Sequence, residues 1–205
     1  MVILNNDCVA LVVGDCTGKG LKAAQYTAEV KYALRVLLRE YRHPTPAVRR
    51  LNTFILDAQR LDDRDQDAPV CITVAVVDTR TDETFIAAAG MEPPLVVRAG
   101  GQAESIEAGG LILGIESASE YPAEVITLGL SDILVLFTDG VTEARGPRPE
   151  RKFFGYEGLT DAARSAAELP VLETIATHVL HTIKAFAAGG RPQHDICLLL
   201  ARRTT

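Results

Sequence analysis

Apolar and polar positions follow two different rhythms along the chain. Residues 8–14 (CVALVVG) are a short apolar run closing on glycine, which predicts a buried strand. From Leu21 to about Tyr41 the spacing lengthens. Leu21, Ala24, Ala28, Tyr32 and Val36 recur at steps of three and four, with Lys, Arg and Glu filling much of the rest. That spacing predicts an amphipathic helix with these residues as its apolar stripe, ended by His43-Pro44. A second helix is predicted with Thr45 as N-cap and Pro46 at its first position, carrying Val48, Leu51, Ile55 and Ala58 on one face.

The acidic stretch LDDRDQDAP (61–69) reads as a solvated loop. Two strands follow, 70–78 and 83–90, joined by Thr79-Arg80-Thr81-Asp82 as a hairpin. Shorter strands are predicted at 94–98, 123–128 and 132–138, with Gly100-Gly101 and Gly109-Gly110 as turns. Helices at about 156–167 and 171–186 come next, the second with Leu172, Ile175, Val179 and Ile183 on one face. A final strand, 195–202, follows the break at Gly189-Gly190 and Pro192. Strands cluster rather than alternate with helices, so the fold class is α+β with largely antiparallel sheets and helices packed outside. No repeat or low-complexity segment interrupts the 205 residues, which read as one domain.

Composition narrows the function. No apolar run reaches the roughly 18–20 residues of a membrane helix. The N-terminus lacks a basic region and a cleavage site, so a soluble cytoplasmic protein is expected. Cys8, Cys16, Cys71 and Cys197 form no C-x-x-C pair, against a zinc site and against a disulfide framework. A net charge of −6 without a basic block makes nucleic acid a poor partner.

Three segments carry candidate chemistry. In V-V-G-D-C-T-G-K-G (12–20) a strand delivers Asp15 into a Gly-rich turn that opens a helix. The spacing fits neither the P-loop nor the dinucleotide fingerprint. A carboxylate and a main-chain carbonyl at a strand end can serve a hard cation; the plain alternative is an Asp that caps the helix. In D-I-L-V-L-F-T-D-G-V-T-E-A-R (132–145) an apolar strand ends in Asp139-Gly140, where an Asp-Gly turn is the plain alternative. In P-Q-H-D-I-C-L-L-L (192–200), His194 and Asp195 precede the last strand. Together, carboxylates at the ends of separate strands and no thiolate signature suit Mg²⁺ or Mn²⁺, and two such ions suit phosphoryl transfer.

G-D-C-T-G-K-G resembles the G-D-V-S-G-K-G of PPM-type (protein phosphatase 2C-like) phosphatases of the SpoIIE and RsbU branch. A-A-A-G-M-E-P-P-L-V-V-R (87–98) is similar to that family's N-A-G-H-x-P-P-L-L-x-R, with Met91 in place of His as a packing change. L-F-T-D-G-V-T-E-A-R nearly repeats its L-Y-T-D-G-V-T-E-A-R, and H-D-I-C-L-L-L is similar to D-D-I-T-L-L-V. The motifs keep family order and spacing from about Cys8 to Arg203.

The resemblance implies a four-layer αββα sandwich and a binuclear Mn²⁺ or Mg²⁺ centre. Asp15 would bridge the ions, the Cys16 carbonyl would contact one and Asp139 would bind the other. Water activated by the ions would attack phosphorus directly. Implied substrates are phosphoserine or phosphothreonine on STAS-domain proteins of partner-switching pathways, with a switch kinase or an upstream sensor as further partners. The two helices after the first motif resemble the family's regulatory switch helices.

Two departures bear on the site. The family's N-terminal G-G-D-x-Y-D strand has no counterpart, and Asp7 sits at the wrong end of the first strand to replace it. His194 stands where the family has a metal-binding Asp, and a neutral imidazole there removes a charge. Asp195 is the neighbouring alternative, although a one-residue shift in a strand reverses side-chain direction. These departures keep open a second class of function: a catalytically impaired PPM-fold module that regulates by binding its partner. A metal-dependent nuclease or cyclase is a third reading, opposed by the motif match.

Overall fold

The computed structural model describes residues 1–61, 69–147, 152–187 and 194–204. Residues 62–68 of the loop predicted over 61–69, and the predicted break at 189–192, lie outside the described residues. The chain divides into two compact units, Met1–Pro93 with Glu107–Thr127, and Pro94–Ile106 with Leu128–Thr205.

The first unit is built on an antiparallel five-stranded sheet. Its strands are β1 (Val2–Ile3), β2 (Cys8–Cys16), β3 (Val70–Asp78), β4 (Glu83–Ala89) and β7 (Glu124–Thr127), in the order β1-β2-β3-β4-β7. The predicted hairpin forms at β3–β4, where Asp78 Oδ1 accepts the Arg80 and Thr81 N–H groups at 2.9 and 3.1 Å. An aspartate that binds the backbone two and three residues on is the chemistry of a tight turn. Strand β1 was not predicted; two residues are too few to show a period.

Helices α1 (Gly20–Tyr41) and α2 (Pro44–Leu61) cover one face of this sheet. The register fixes which residues meet them. Ala10, Val12 and Cys16 of β2 share the helix-side core with Ile72, Val74 and Val76 of β3 and Ala87 and Ala89 of β4. Positions of the other parity, Leu11, Val13, Ala75, Ile86 and Ala88, are buried too, so the sheet is apolar on both faces.

The apolar stripe expected for α1 faces outward. Leu21, Tyr32 and Val36 are 85%, 62% and 64% exposed, while Val30, Leu34 and Leu38 are buried. Tyr26, Ala33, Leu37 and Tyr41 pack beside those three and widen their arc. The wider arc buries more surface, so it takes the core. Helix α2 also starts earlier than predicted. Pro44, not Pro46, is its first residue, and His43 Nδ1 accepts the Thr45 N–H at 3.3 Å where a capping side chain would. Both prolines fit because the first turn needs no N–H donors. Asn52, buried on α2, ties down a loop of the same unit. Its amide donates to the Glu116 carbonyl at 2.7 Å and its oxygen accepts the Gly114 N–H at 2.8 Å.

The second unit holds an antiparallel four-stranded sheet of β5 (Leu95–Val97), β6 (Ala103–Ser105), β8 (Ile133–Phe137) and β9 (Leu198–Arg202), ordered β6-β5-β8-β9. Short β6 was also unpredicted. Helices α3 (Gly155–Ala166) and α4 (Leu172–Phe186) pack on it through Leu159, Ala163, Ile175, Val179 and Ile183, the α4 face being the predicted one. All five residues of β8 are buried, and each large side chain contributes about 1.5–3 kcal/mol. Asp132 at the head of β8 accepts from Arg98 at 2.7 Å and from the Ala99 and Gly129 N–H groups at 2.9 and 2.8 Å. Its other end delivers Thr138 and Asp139.

Candidate metal centre

Asp15 is placed by the pairing of β2 with β3. It lies opposite Cys71, one residue before the last pair, Cys16 with Val70. Strand alternation turns its side chain to the face opposite α1 and α2, where it is exposed. Gly14 before it is required by space, since a Cβ there would lie 2.9 Å from the Cys71 carbonyl oxygen. The reading of Asp15 as a helix cap fails, because the N-cap of α1 is Lys19, with no side-chain capping bond. Among the described residues no group donates a hydrogen bond to the Asp15 carboxylate. Thr17 anchors the turn, its N–H and hydroxyl both donating to the Pro69 carbonyl at 3.2 and 3.1 Å.

Cys16 points the other way, into the core under α1. Burial pushes its thiol up, a hydrogen bond with Thr27 opposes this, and the Asp15 charge raises it further. With its side chain in the core, Cys16 leaves its carbonyl as the group available to a cation beside Asp15. Asp7, at the opposite end of β2, is roughly 26 Å from Asp15 along an extended strand.

In the second unit the chain turns sharply after β8. The Val141 N–H donates to the Thr138 carbonyl at 3.0 Å and the Glu143 N–H to the Asp139 carbonyl at 2.8 Å. Asp139-Gly140 is therefore a turn, as its plain reading holds, and more than a turn. A Cβ on Gly140 would lie 2.4 Å from the Asp195 carbonyl oxygen and 3.2 Å from that of His194. Glycine lets the backbone at 194–195 approach. Thr138 holds it there, its hydroxyl donating to the Asp195 carbonyl and accepting the Cys197 N–H, both at 2.9 Å.

This approach gathers Asp139, Glu143 and His194, whose donor atoms all lie within 4.8 Å of one another. His194 Nε2 is 3.2 Å from a Glu143 carboxylate oxygen. Of the residues singled out by sequence, the structure thus brings together Asp139 and His194; Asp195 contributes its main chain to the bracing and its side chain stays outside the group. Asp15 and Cys16 belong to the first unit. Glu143 was not singled out. The available signal was its D-x-x-x-E spacing from Asp139, which one helical turn places on the same side.

Two carboxylates and an imidazole, with no thiolate, fit a divalent cation of the Mn²⁺ or Mg²⁺ kind. Two of the other histidines serve elsewhere. His43 caps α2 beside Phe85, ring centroids 4.9 Å apart, with burial holding its imidazole below the usual value, and His178 bonds Ser165 at 3.0 Å.

Two antiparallel sheets, each carrying two helices, with aspartates leaving strand ends beside glycine, define the α+β sandwich of the PPM-type phosphatases. The family model described as Stage II sporulation protein E (SpoIIE) matches residues 5–204, and the chain belongs to that family, in the SpoIIE/RsbU branch. It is 30% identical to phosphoserine phosphatase RsbU of Bacillus subtilis over 146 residues, covering 70% of this chain and 42% of that protein. The structure of the RsbU and RsbW domains of a Mycobacterium tuberculosis protein matches with a TM-score of 0.79 at 25% identity, over 100% of this chain and 54% of that one. The SiaA-PP2C domain of Pseudomonas aeruginosa matches in fold, with a TM-score of 0.83 at 20% identity over 97% of this chain and 77% of that one. The chain thus spans less than half of RsbU and about half of the mycobacterial chain. Among the described residues no helix is long and apolar enough to cross a membrane.

Proposed function

We propose that this chain is a divalent-metal-dependent protein serine/threonine phosphatase, acting in the cytoplasm as one domain over residues 1–205. Its substrate is a phosphoserine or phosphothreonine on a STAS-domain protein of a partner-switching pathway, with a switch kinase or sensor as further partners. The observation that carries the reading is the gathering of Asp139 and His194, donors from two separate family motifs, at the end of β8. Asp15 and Cys16 enter through their own motif. Similarity to a phosphoserine phosphatase supports the same chemistry.

Two ions, Mn²⁺ or Mg²⁺, would be held by Asp15, the Cys16 carbonyl, Asp139 and His194. When bound they supply Lewis acidity toward water and the phosphoryl oxygens. The protein's part is positioning. Asp15 keeps an exposed carboxylate that no donor among the described residues occupies. Thr138 and Gly140 fix the backbone at 194–195 before substrate arrives.

The test is hydrolysis of p-nitrophenyl phosphate. Activity should depend on Mn²⁺ and disappear in Asp15→Asn and Asp139→Asn; no hydrolysis by the 205-residue chain at saturating Mn²⁺ would sink the proposal. One observation favours the impaired binding module: His194 and Glu143 already satisfy each other at 3.2 Å. That reading expects no metal titration and retained partner binding.

A further inference from the structure

His194 is one of the two departures from the family motifs that bear on the site, and the structure sets the Glu143 carboxylate 3.2 Å from it. Glu143 and His194 are partly exposed, and a polar contact so exposed adds little to stability. Their geometry suits another purpose. Neighbouring donors in an octahedral shell, each about 2.1 Å from the ion, stand about 3.0 Å apart, and opposite donors about 4.2 Å. The separation of His194 Nε2 from Glu143 is 3.2 Å, and all three donor atoms of the group lie within 4.8 Å. One ion can therefore meet all three with small side-chain adjustment.

The braces support this. Glu143 is fixed one turn below Asp139 by the 2.8 Å main-chain bond, and His194 is fixed by the approach over Gly140. Asp139 and Glu143 supply two carboxylates, and His194 adds a nitrogen donor. Carboxylate oxygens suit Mg²⁺ and Mn²⁺ alike, whereas imidazole favours the transition metal.

We propose that Glu143 is a direct ligand of the ion at Asp139 and His194, and that the resulting donor set selects Mn²⁺ over Mg²⁺. The proposal rests on the phosphatase reading and assigns a residue and a metal preference to that site.

The experiment is calorimetric titration of the 205-residue chain with Mn²⁺ and, separately, Mg²⁺, with Mn²⁺ paramagnetic resonance as a second readout and circular dichroism as the check on folding. Glu143→Gln and Glu143→Ala should each weaken Mn²⁺ binding at one site by about tenfold or more. His194→Asp should raise Mg²⁺ affinity and narrow the Mn²⁺/Mg²⁺ ratio. Folded Glu143 variants that bind Mn²⁺ as tightly as the wild type would show Glu143 to be only a partner of His194. That result overturns this inference and leaves the phosphatase reading standing. A wild-type chain that binds no Mn²⁺ and hydrolyses nothing would instead overturn the phosphatase reading, and this inference with it.

Discussion

Replacing Gly140 by alanine tests whether the bracing of the centre is understood. Gly140 is not in the left-handed region, so alanine meets no backbone strain there. The substitution acts through space alone. Its Cβ would stand 2.4 Å from the Asp195 carbonyl oxygen and 2.9 Å from its carbonyl carbon, about 1 Å short of a comfortable contact. Both obstacles are backbone, so the segment at 194–195 must retreat. A retreat of that size breaks the 2.9 Å bond from the Thr138 hydroxyl to Asp195 and loosens the 2.9 Å bond from the Cys197 N–H to Thr138.

Two such bonds are worth about 1 kcal/mol each, and the overpacking costs about 1–3 kcal/mol. The stiffer unfolded chain returns about 0.4–1 kcal/mol. The net loss is about 2–4 kcal/mol, or roughly 1–2 M in the urea midpoint of a domain this size. His194 moves with the segment, so Mn²⁺ binding should weaken as well. Gly109 is the control, because its Cβ would meet nothing within 4 Å and its φ is not in the left-handed region. Gly109→Ala should stay within about 0.5 kcal/mol of the wild type. A Gly140→Ala protein with the wild-type midpoint and wild-type Mn²⁺ affinity would refute the claim that glycine is there to admit 194–195.

Two further outcomes are expected away from the centre. Asn52→Ala removes both partners of the Gly114 N–H and Glu116 carbonyl inside the first unit and should lower stability by about 2–4 kcal/mol in urea unfolding, while an unchanged midpoint would mean the loop needs no anchor. Burial raises the Asp132 carboxyl, but hydrogen bonds from Arg98 and from the Ala99 and Gly129 N–H groups outweigh it and hold the carboxyl below its ordinary 3.8. A carboxylate depressed in the folded state stabilises above its unfolded value, and the gain is lost as pH falls through the folded value. Urea midpoints of the wild type should therefore drop below about pH 4, and Asp132→Asn should remove that part of the drop while being less stable at pH 7. Equal acid sensitivity in the two proteins would count against this role.

Much of this protein was legible in the chain itself. Strands β2, β3, β4 and β8, four helices and the α+β class follow from local periodicity and from turn residues acting on their nearest neighbours. Asp15 and Asp139 were legible for the same reason, since each terminates its own apolar run. Choices between equivalent local patterns were not legible. Helix α1 carries two apolar stripes, and only packing against β2, β3 and α2 selects Val30, Leu34 and Leu38 over Leu21, Tyr32 and Val36. Strands β1 and β6 are too short to show a rhythm and exist because a neighbour offers them hydrogen bonds. Glu143 is silent in sequence because what faces it, His194, is 51 residues away and arrives by the pairing of β9 with β8. Asp139-Gly140 shows the division most closely. The sequence alone determines a turn after an apolar strand; only the tertiary fold, by laying the Asp195 carbonyl against Gly140, makes glycine a steric necessity and brings an imidazole to the aspartate.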